Sequence, residues 1–145
     1  MRTVCLIILI LTAPAVWACS ALEADAGWVR RPPPGASSTA GYLTLRNTGE
    51  RPVKVVAASS EHFATTMIHQ TTHKDGRATM RHLSEIEILP GEAFVAEPGG
   101  AHLMLMQPTA ALKDGARVSI QFHCAQGESL TTTLMVQRYA PTDAP

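Results

Sequence analysis

The chain has 145 residues, of which 12 are Lys or Arg and 12 are Asp or Glu, so its formal net charge is zero. This length suffices for one domain with a substantial core and is too short for two ordinary domains. A neutral chain lacks the basic face that nucleic-acid-binding proteins use to neutralise phosphates, and it offers no polybasic anchor for anionic lipid.

The first predicted element is a signal peptide over residues 1–18. Arg2 supplies a positive start, Val4 to Leu11 is apolar, and small residues precede a cleavage site before Cys19. The apolar run is too short for a comfortable membrane span, and no later segment approaches about 20 apolar residues. We therefore expect an exported, periplasmic protein. Two alternatives stay open: an uncleaved membrane anchor, and lipidation of Cys19 in a lipoprotein-like cleavage box at residues 16–19.

The rest of the chain predicts short strands separated by turns, with no helix longer than one turn, near Ala110 to Lys113. Asp75-Gly76 is typical of a tight hairpin. The pattern favours an all-β, antiparallel Greek-key sandwich or barrel, as a single domain over residues 19–138 with a short tail at 139–145. The predicted strands are Ala24 to Arg30, Ser38 to Arg46, Pro52 to Ala58, Ala64 to Thr71, Arg77 to Leu83, Glu85 to Leu89, Ala93 to Ala96, Ala101 to Met106, Val118 to Cys124 and Ser129 to Val136.

Three cysteines occur, and Cys5 would leave with the signal peptide. Cys19 and Cys124 then form an even pair in an oxidising compartment, and a disulfide between them is the preferred hypothesis. Two free thiols, or a lipidated Cys19 with Cys124 alone, are the alternatives.

Histidine and methionine are unevenly distributed after residue 18. Nine of the eleven such residues fall between His62 and Met106. Four of them form a spaced pattern, in which ten residues separate His69 from Met80, 21 separate Met80 from His102, and one separates His102 from Met104. Imidazole nitrogen and thioether sulfur together suit a soft metal ion, Cu(I) above all.

Strand alternation predicts which of these side chains share a face. His102, Met104 and Met106 should point away from Leu103 and Leu105, which should enter the core. The same rule pairs Met67 with His69 on one strand and Met80 with His82 on the next. The metal ligands expected from this pattern are His69, Met80, His102 and Met104, with Met106, His82 and Met67 as auxiliary candidates.

The ordinary interpretation is that methionines fill the core and histidines lie on the surface. Alternation weakens it here, because both faces of a one-sided sheet cannot bury the core. Burial on both sides stays open, and the sequence does not show that the His102 strand joins the other two. No motif orients a catalytic triad, so no catalytic residue is expected.

The four-residue pattern resembles the signature of the PCu(A)C family of periplasmic copper chaperones. The flanking sequence adds to the resemblance, which spans most of the mature chain from Trp28 to Val136. It includes Trp28-Val29-Arg30, Gly41-Tyr42-Leu43-Thr44-Leu45-Arg46-Asn47, Met67-Ile68-His69-Gln70-Thr71, Pro98-Gly99-Gly100 and His102-Leu103-Met104-Leu105-Met106.

This resemblance implies a cupredoxin-like β-barrel that binds Cu(I) through His69, Met80, His102 and Met104. It also implies delivery of copper to an acceptor, namely the binuclear copper centre of cytochrome c oxidase or an assembly factor. A copper buffer without a dedicated acceptor is the alternative that the sequence does not separate from a chaperone. A redox enzyme and a metal-free scaffold domain are weaker alternatives.

Overall fold

A computed structural model describes residues 19–25 and 27–140, so the predicted signal peptide and the last five residues lie outside it. A 3-10 helix at Cys19–Ala21 precedes the strands. Within the described residues, no helix is long and apolar enough to cross a membrane. The strands are β1 Leu22–Ala24, β2 Trp28–Arg30, β3 Ser38–Asn47, β4 Val53–Ser59, β5 Phe63–Lys74, β6 Arg77–His82, β7 Ile86–Ile88, β8 Ala93–Ala96, β9 Ala101–Pro108, β10 Arg117–Cys124 and β11 Ser129–Gln137.

The strands form one sheet in the order β6-β5-β9-β8-β3-β2-β11-β10-β4-β7, and β3 also pairs with β1 and β9. Neighbours in the sheet are mostly antiparallel, whereas β2 with β11 and β8 with β9 are parallel. Side chains from both halves of this order share one buried cluster, for example Leu105 of β9 and Phe122 of β10. The sheet therefore curls around a single core, as the sequence predicted for a β-barrel or sandwich.

Alternation along the strands divides core from surface as predicted. Leu103 and Leu105 of β9 are fully buried, whereas Met104 and Met106 between them are only partly buried. In β10, the fully buried side chains Val118, Ile120 and Phe122 alternate with more exposed ones. Each residue that enters the core therefore turns its sequence neighbours to the opposite face.

The β5–β6 hairpin turns at Asp75-Gly76, as the sequence predicted. Both residues have positive φ, 51° for Asp75 and 71° for Gly76, which is the conformation of a tight type I′ connection. Lys74 consequently pairs with Arg77, and the register continues down to His69 opposite His82.

Two local predictions were wrong. The single strand predicted from Ala24 to Arg30 is two strands, β1 and β2, with Gly27 between them. A Cβ on Gly27 would lie 2.5 Å from the Tyr42 carbonyl oxygen and 2.7 Å from Leu43 Cβ, so close packing against β3 requires glycine here. The helical turn predicted near Ala110 to Lys113 is irregular, non-helical chain.

Cys19 and Cys124 form a disulfide, with 5.8 Å between their Cα atoms and a sequence separation of 105. Both residues are buried, and the bond joins the start of the described chain to the end of β10. A sulfur atom in a disulfide cannot also carry the thioether of a lipid anchor. The structure therefore contains the preferred pairing, which excludes lipidation of Cys19 while the bond is intact.

Reducing this disulfide should destabilise the fold, because a covalent link across so long a loop restricts the unfolded chain. The chain-entropy model gives about 4–5 kcal/mol for a loop of this size. Urea denaturation of the mature protein with and without reductant measures the loss. The double variant Cys19→Ser/Cys124→Ser is the control, because reductant should leave its midpoint unchanged. Equal midpoints for reduced and oxidised wild type would contradict the prediction.

Candidate metal site

Three histidines lie side by side across neighbouring strands. His69 of β5 pairs directly with His82 of β6 on one side and with His102 of β9 on the other. Directly paired residues of antiparallel strands project from the same face of the sheet. The three imidazoles therefore form one row, with His69 in the middle.

The ring positions agree with this register. The centroid of the His69 ring is 5.7 Å from that of His82 and 5.9 Å from that of His102, and both contacts are edge-on. His69 is thus in ring contact with a histidine on each flanking strand.

The methionines occupy the rows above and below the histidines. Met80 pairs with Thr71, and Met104 pairs with Met67, so each is a diagonal cross-strand neighbour of His69. Diagonal neighbours lie about 7–8 Å apart, within reach of a side chain as long as methionine. We call this surface the His/Met face; it comprises Met67, His69, Met80, His82, His102, Met104 and Met106.

His69 is consequently next to each of the other three predicted ligands. Met80 and Met104 are not next to each other, because they lie on opposite sides of the histidine row and on strands separated by β5. Across the described part of the chain, no three His, Cys, Asp or Glu side chains form a preformed metal cluster. A metal ion on this face would therefore depend on the thioethers or on movement of an imidazole.

The two halves of the face differ in exposure. His102 is 8% exposed and Met80 is 63% exposed. His102 is therefore buried although it lies on the face opposite Leu103 and Leu105. β9 lies between β5 and β3 in the sheet, so His102 has a strand on either side, whereas Met80 lies on the edge strand β6.

A backbone carbonyl fixes the proton on His102. Its Nδ1 is 3.3 Å from the carbonyl oxygen of Gly100, which can only accept a hydrogen bond. Nδ1 must therefore carry the proton and donate it, which leaves Nε2 with a free lone pair. Metal-binding histidines are oriented in the same way, by a hydrogen bond from the other ring nitrogen.

His69 has a buried ring nitrogen, Nδ1, that has no hydrogen-bond partner among the described residues. Leaving such an atom unsatisfied is costly, and a metal ion would satisfy it. The pKa of His69 is lowered from 6.5, first by burial and then by the neighbouring His102 and His82. The lowered pKa favours the neutral imidazole, which is the form that binds metals.

A pocket of about 250 Å³ adjoins the His/Met face at the end that carries Met104 and Met106. Met104 and Met106 line it together with Ser37, Thr65 and Gln107. Met106 pairs with Thr65 of β5 and Ser38 of β3, one row beyond Met104. The auxiliary candidate Met106 therefore borders this pocket and not the histidine row.

The sequence analysis ranked His82 only as auxiliary, yet it is a direct neighbour of His69. The sequence did contain a signal for this pairing. A two-residue turn at Asp75-Gly76 pairs residues that are equidistant from it, and this rule matches His69 with His82. Setting the register of the hairpin from this turn identifies His82 as the direct neighbour of His69.

The sequence did not indicate a line of three hydrogen-bonded side chains on other strands, which is formed by Ser59, His123 and Ser129. Ser59 Oγ is 2.7 Å from His123 Nε2, and His123 Nδ1 is 3.1 Å from Ser129 Oγ. It joins β4, β10 and β11. A neutral hydroxyl at the third position cannot stabilise a charged imidazolium as a carboxylate does, so we interpret this line as a cross-strand network.

Comparison with known proteins finds a matching family model and similar individual proteins. A family model described as "Putative lipoprotein LpqE-like" matches residues 22–136. "Putative lipoprotein Lxx21020" of Leifsonia xyli subsp. xyli is 28% identical over 120 residues, which are 82% of this chain and 71% of that protein. "Uncharacterized protein RP573" of Rickettsia prowazekii is 32% identical over 87 residues, covering 59% of this chain and 48% of that protein.

Solved structures of the same fold are also found. The solution structure of CuI-DR1885 from Deinococcus radiodurans has a TM-score of 0.66 and 28% identity, over 86% of this chain and 83% of that one. The apo PCuAC domain from PmoF1 has a TM-score of 0.67 and 20% identity, over 82% of this chain and 95% of that one, and shows the fold alone. These likenesses confirm a cupredoxin-like β fold. The chain belongs to the LpqE-like family, and its fold is that of the PCuAC domains.

Proposed function

We propose that this chain is an exported Cu(I) chaperone that binds one ion through His69, Met80, His102 and Met104 and delivers it to a copper-accepting protein. The observation that carries the proposal is the position of His69, which neighbours the other three donors across β6 and β9. The solved relative CuI-DR1885 supports the choice of ion.

The donor set matches Cu(I) chemically. Two imidazoles and two thioethers are all neutral, which favours a monovalent ion over divalent ions that prefer carboxylates or thiolates. Thioethers bind without losing a proton and cannot be consumed by disulfide formation, so they suit an oxidising compartment.

Export is supported by two observations of different kinds. The Cys19–Cys124 disulfide is the form that cysteine pairs take in oxidising compartments, the periplasm among them. The family description and one curated relative carry the word lipoprotein, a class of proteins that lies outside the cytoplasm. In this chain the disulfide occupies the one sulfur that the predicted cleavage site would offer to a lipid.

Delivery requires that the acceptor reach the metal, and the exposure of the four donors would permit this from one side. His102 is buried and its ring is held by the Gly100 carbonyl, whereas Met80 is exposed on an edge strand. An incoming acceptor ligand would therefore replace Met80 first, while His102 still holds the ion. The acceptor we propose is the binuclear copper centre of cytochrome c oxidase or a factor that assembles it; a copper buffer without an acceptor is the alternative.

Removing a ligand should weaken Cu(I) binding. Met80→Ala and Met104→Ala should each lower the affinity by at least about tenfold, because losing a ligand should cost no less than disturbing a ligand's hydrogen-bond partner. Competition with a chromogenic Cu(I) chelator measures the change. His102→Ala should have the same effect and also cost some stability, because His102 is buried.

Met135→Ala and His123→Ala are matched controls, since both residues lie outside the His/Met face, on β11 and β10. They should bind Cu(I) as the wild type does. Wild-type affinity in Met80→Ala and Met104→Ala would remove both thioethers from the proposed site.

Acid should weaken both copper binding and the metal-free fold. The lowered pKa of His69 means that the unfolded chain takes up this proton more readily than the folded one. The contribution of His69 to stability is therefore present above about pH 6.5, the ordinary histidine value, and is lost as the pH falls through the lowered folded pKa. An NMR titration of the metal-free protein should give a His69 midpoint below 6.5, and a midpoint at or above 6.5 would contradict this prediction.

A deletion strain separates delivery from storage. If the chain is a chaperone, deletion should reduce cytochrome c oxidase activity at limiting copper, and added copper should restore it. The strain complemented with the Met80→Ala/Met104→Ala double variant should resemble the deletion, and that with Met135→Ala should resemble the wild type. Normal oxidase assembly combined with raised copper sensitivity would instead support the buffer.

A further inference from the structure

His82 is a third imidazole on the His/Met face and is not one of the four ligands of the proposed function. It pairs directly with His69, and its ring centroid lies 5.7 Å from that of His69. Met80, which the proposed function uses, lies two residues before it on the same strand and the same face, opposite Thr71. The edge strand thus offers an imidazole nitrogen and a soft thioether sulfur side by side.

The row of three histidines offers nitrogen donors only. The proposed Cu(I) site also uses the methionines diagonal to His69, so it mixes nitrogen and sulfur. His102 has a free Nε2 because its Nδ1 donates to the Gly100 carbonyl, and His69 has an unpartnered buried Nδ1. His82 is exposed and forms no described hydrogen bond or ion pair, so its ring is free to take either orientation.

Imidazole is a good ligand for divalent copper, and among divalent first-row metal ions an imidazole site binds copper most tightly. Thioether sulfur is a soft donor and favours the monovalent ion. We propose that His69, His82 and His102 form a second ligand set on the same face, which binds copper as Cu(II). This inference rests on the proposed function for the Cu(I) set and adds His82 and the second oxidation state to it.

The rings must move for this set to close on one ion. Each flanking ring centroid is almost 6 Å from that of His69, and the three imidazoles do not form a preformed cluster among the described residues. His102 is buried and its Nδ1 is held by the Gly100 carbonyl, so the movement falls to the His69 ring and to His82, which is exposed on the edge strand β6. Rotation of these two side chains would turn their nitrogens toward one ion beside His102, and the strand register would stay as it is.

Two ligand sets that share His69 and His102 would let one centre hold copper in either oxidation state. Met80 and Met104 complete the set for Cu(I), and His82 completes the set for Cu(II). No electron transfer is involved, because the ion binds in the state in which it arrives. Met80, Met104 and His82 are then the residues that distinguish the two states.

The test measures both affinities on the mature protein, with Cu(II) in competition with glycine and Cu(I) in competition with a chromogenic chelator. His82→Phe keeps a ring beside His69 and removes its nitrogens. This variant should lose at least about tenfold in Cu(II) affinity, because losing a ligand should cost no less than disturbing a ligand's hydrogen-bond partner. It should keep its Cu(I) affinity. Met80→Ala should show the reverse pattern. Electron paramagnetic resonance of the wild-type Cu(II) complex should show coupling to imidazole nitrogens that decreases in His82→Phe.

His123→Ala is the matched control, since His123 lies on β10, which pairs with β11 and β4 and not with the strands of the His/Met face, and it should change neither affinity. His82→Ala should reproduce His82→Phe and shows that the loss does not come from the introduced ring. The inference is overturned if the wild type binds no Cu(II), if His82→Phe binds Cu(II) like the wild type, or if it loses both affinities equally. Failure of the proposed function is a separate result, the absence of Cu(I) binding by the wild type.

Discussion

The register of β5 between β6 and β9 is the constraint on which the proposed metal site depends. It puts His69 opposite both His82 and His102, and it makes Met80 and Met104 diagonal neighbours of His69. The opposite faces of the same strands hold that register, because Ile68, Leu103 and Leu105 are buried in the core. A slip of one residue would expose these apolar side chains and bury the donors, so the core that stabilises the barrel also specifies the site.

The exposure of the donors follows from the order of the strands. β9 has a strand on each side, and His102 is accordingly buried and oriented by a backbone carbonyl. β6 ends the strand order, and its residues are exposed throughout. The face therefore combines a fixed imidazole with donors that are free to move, and a carrier needs both, because it must retain its ion and also release it to another protein.

The sequence predicted local structure well and predicted poorly which strands are neighbours in the sheet. Alternating apolar residues located most strands, the Asp75-Gly76 turn was recognised, and the cysteine pair is bonded. The pairing of β5 with β9 could not be read from the chain, because about 30 residues separate the strands and such contacts depend on the closed barrel. The burial of His102 and the break at Gly27 depend equally on the strands packed beside them. The position of His82, in contrast, was accessible from the turn rule.

X-ray absorption on the Cu(I)-loaded mature protein tests the central claim most directly, because it counts sulfur and nitrogen neighbours of the ion. The four-ligand site around His69 predicts two sulfur atoms at thioether distance and two imidazole nitrogens. A copper environment of nitrogen and oxygen alone, with no sulfur, would contradict it, because the methionines beside His69 would then be packing residues and not ligands.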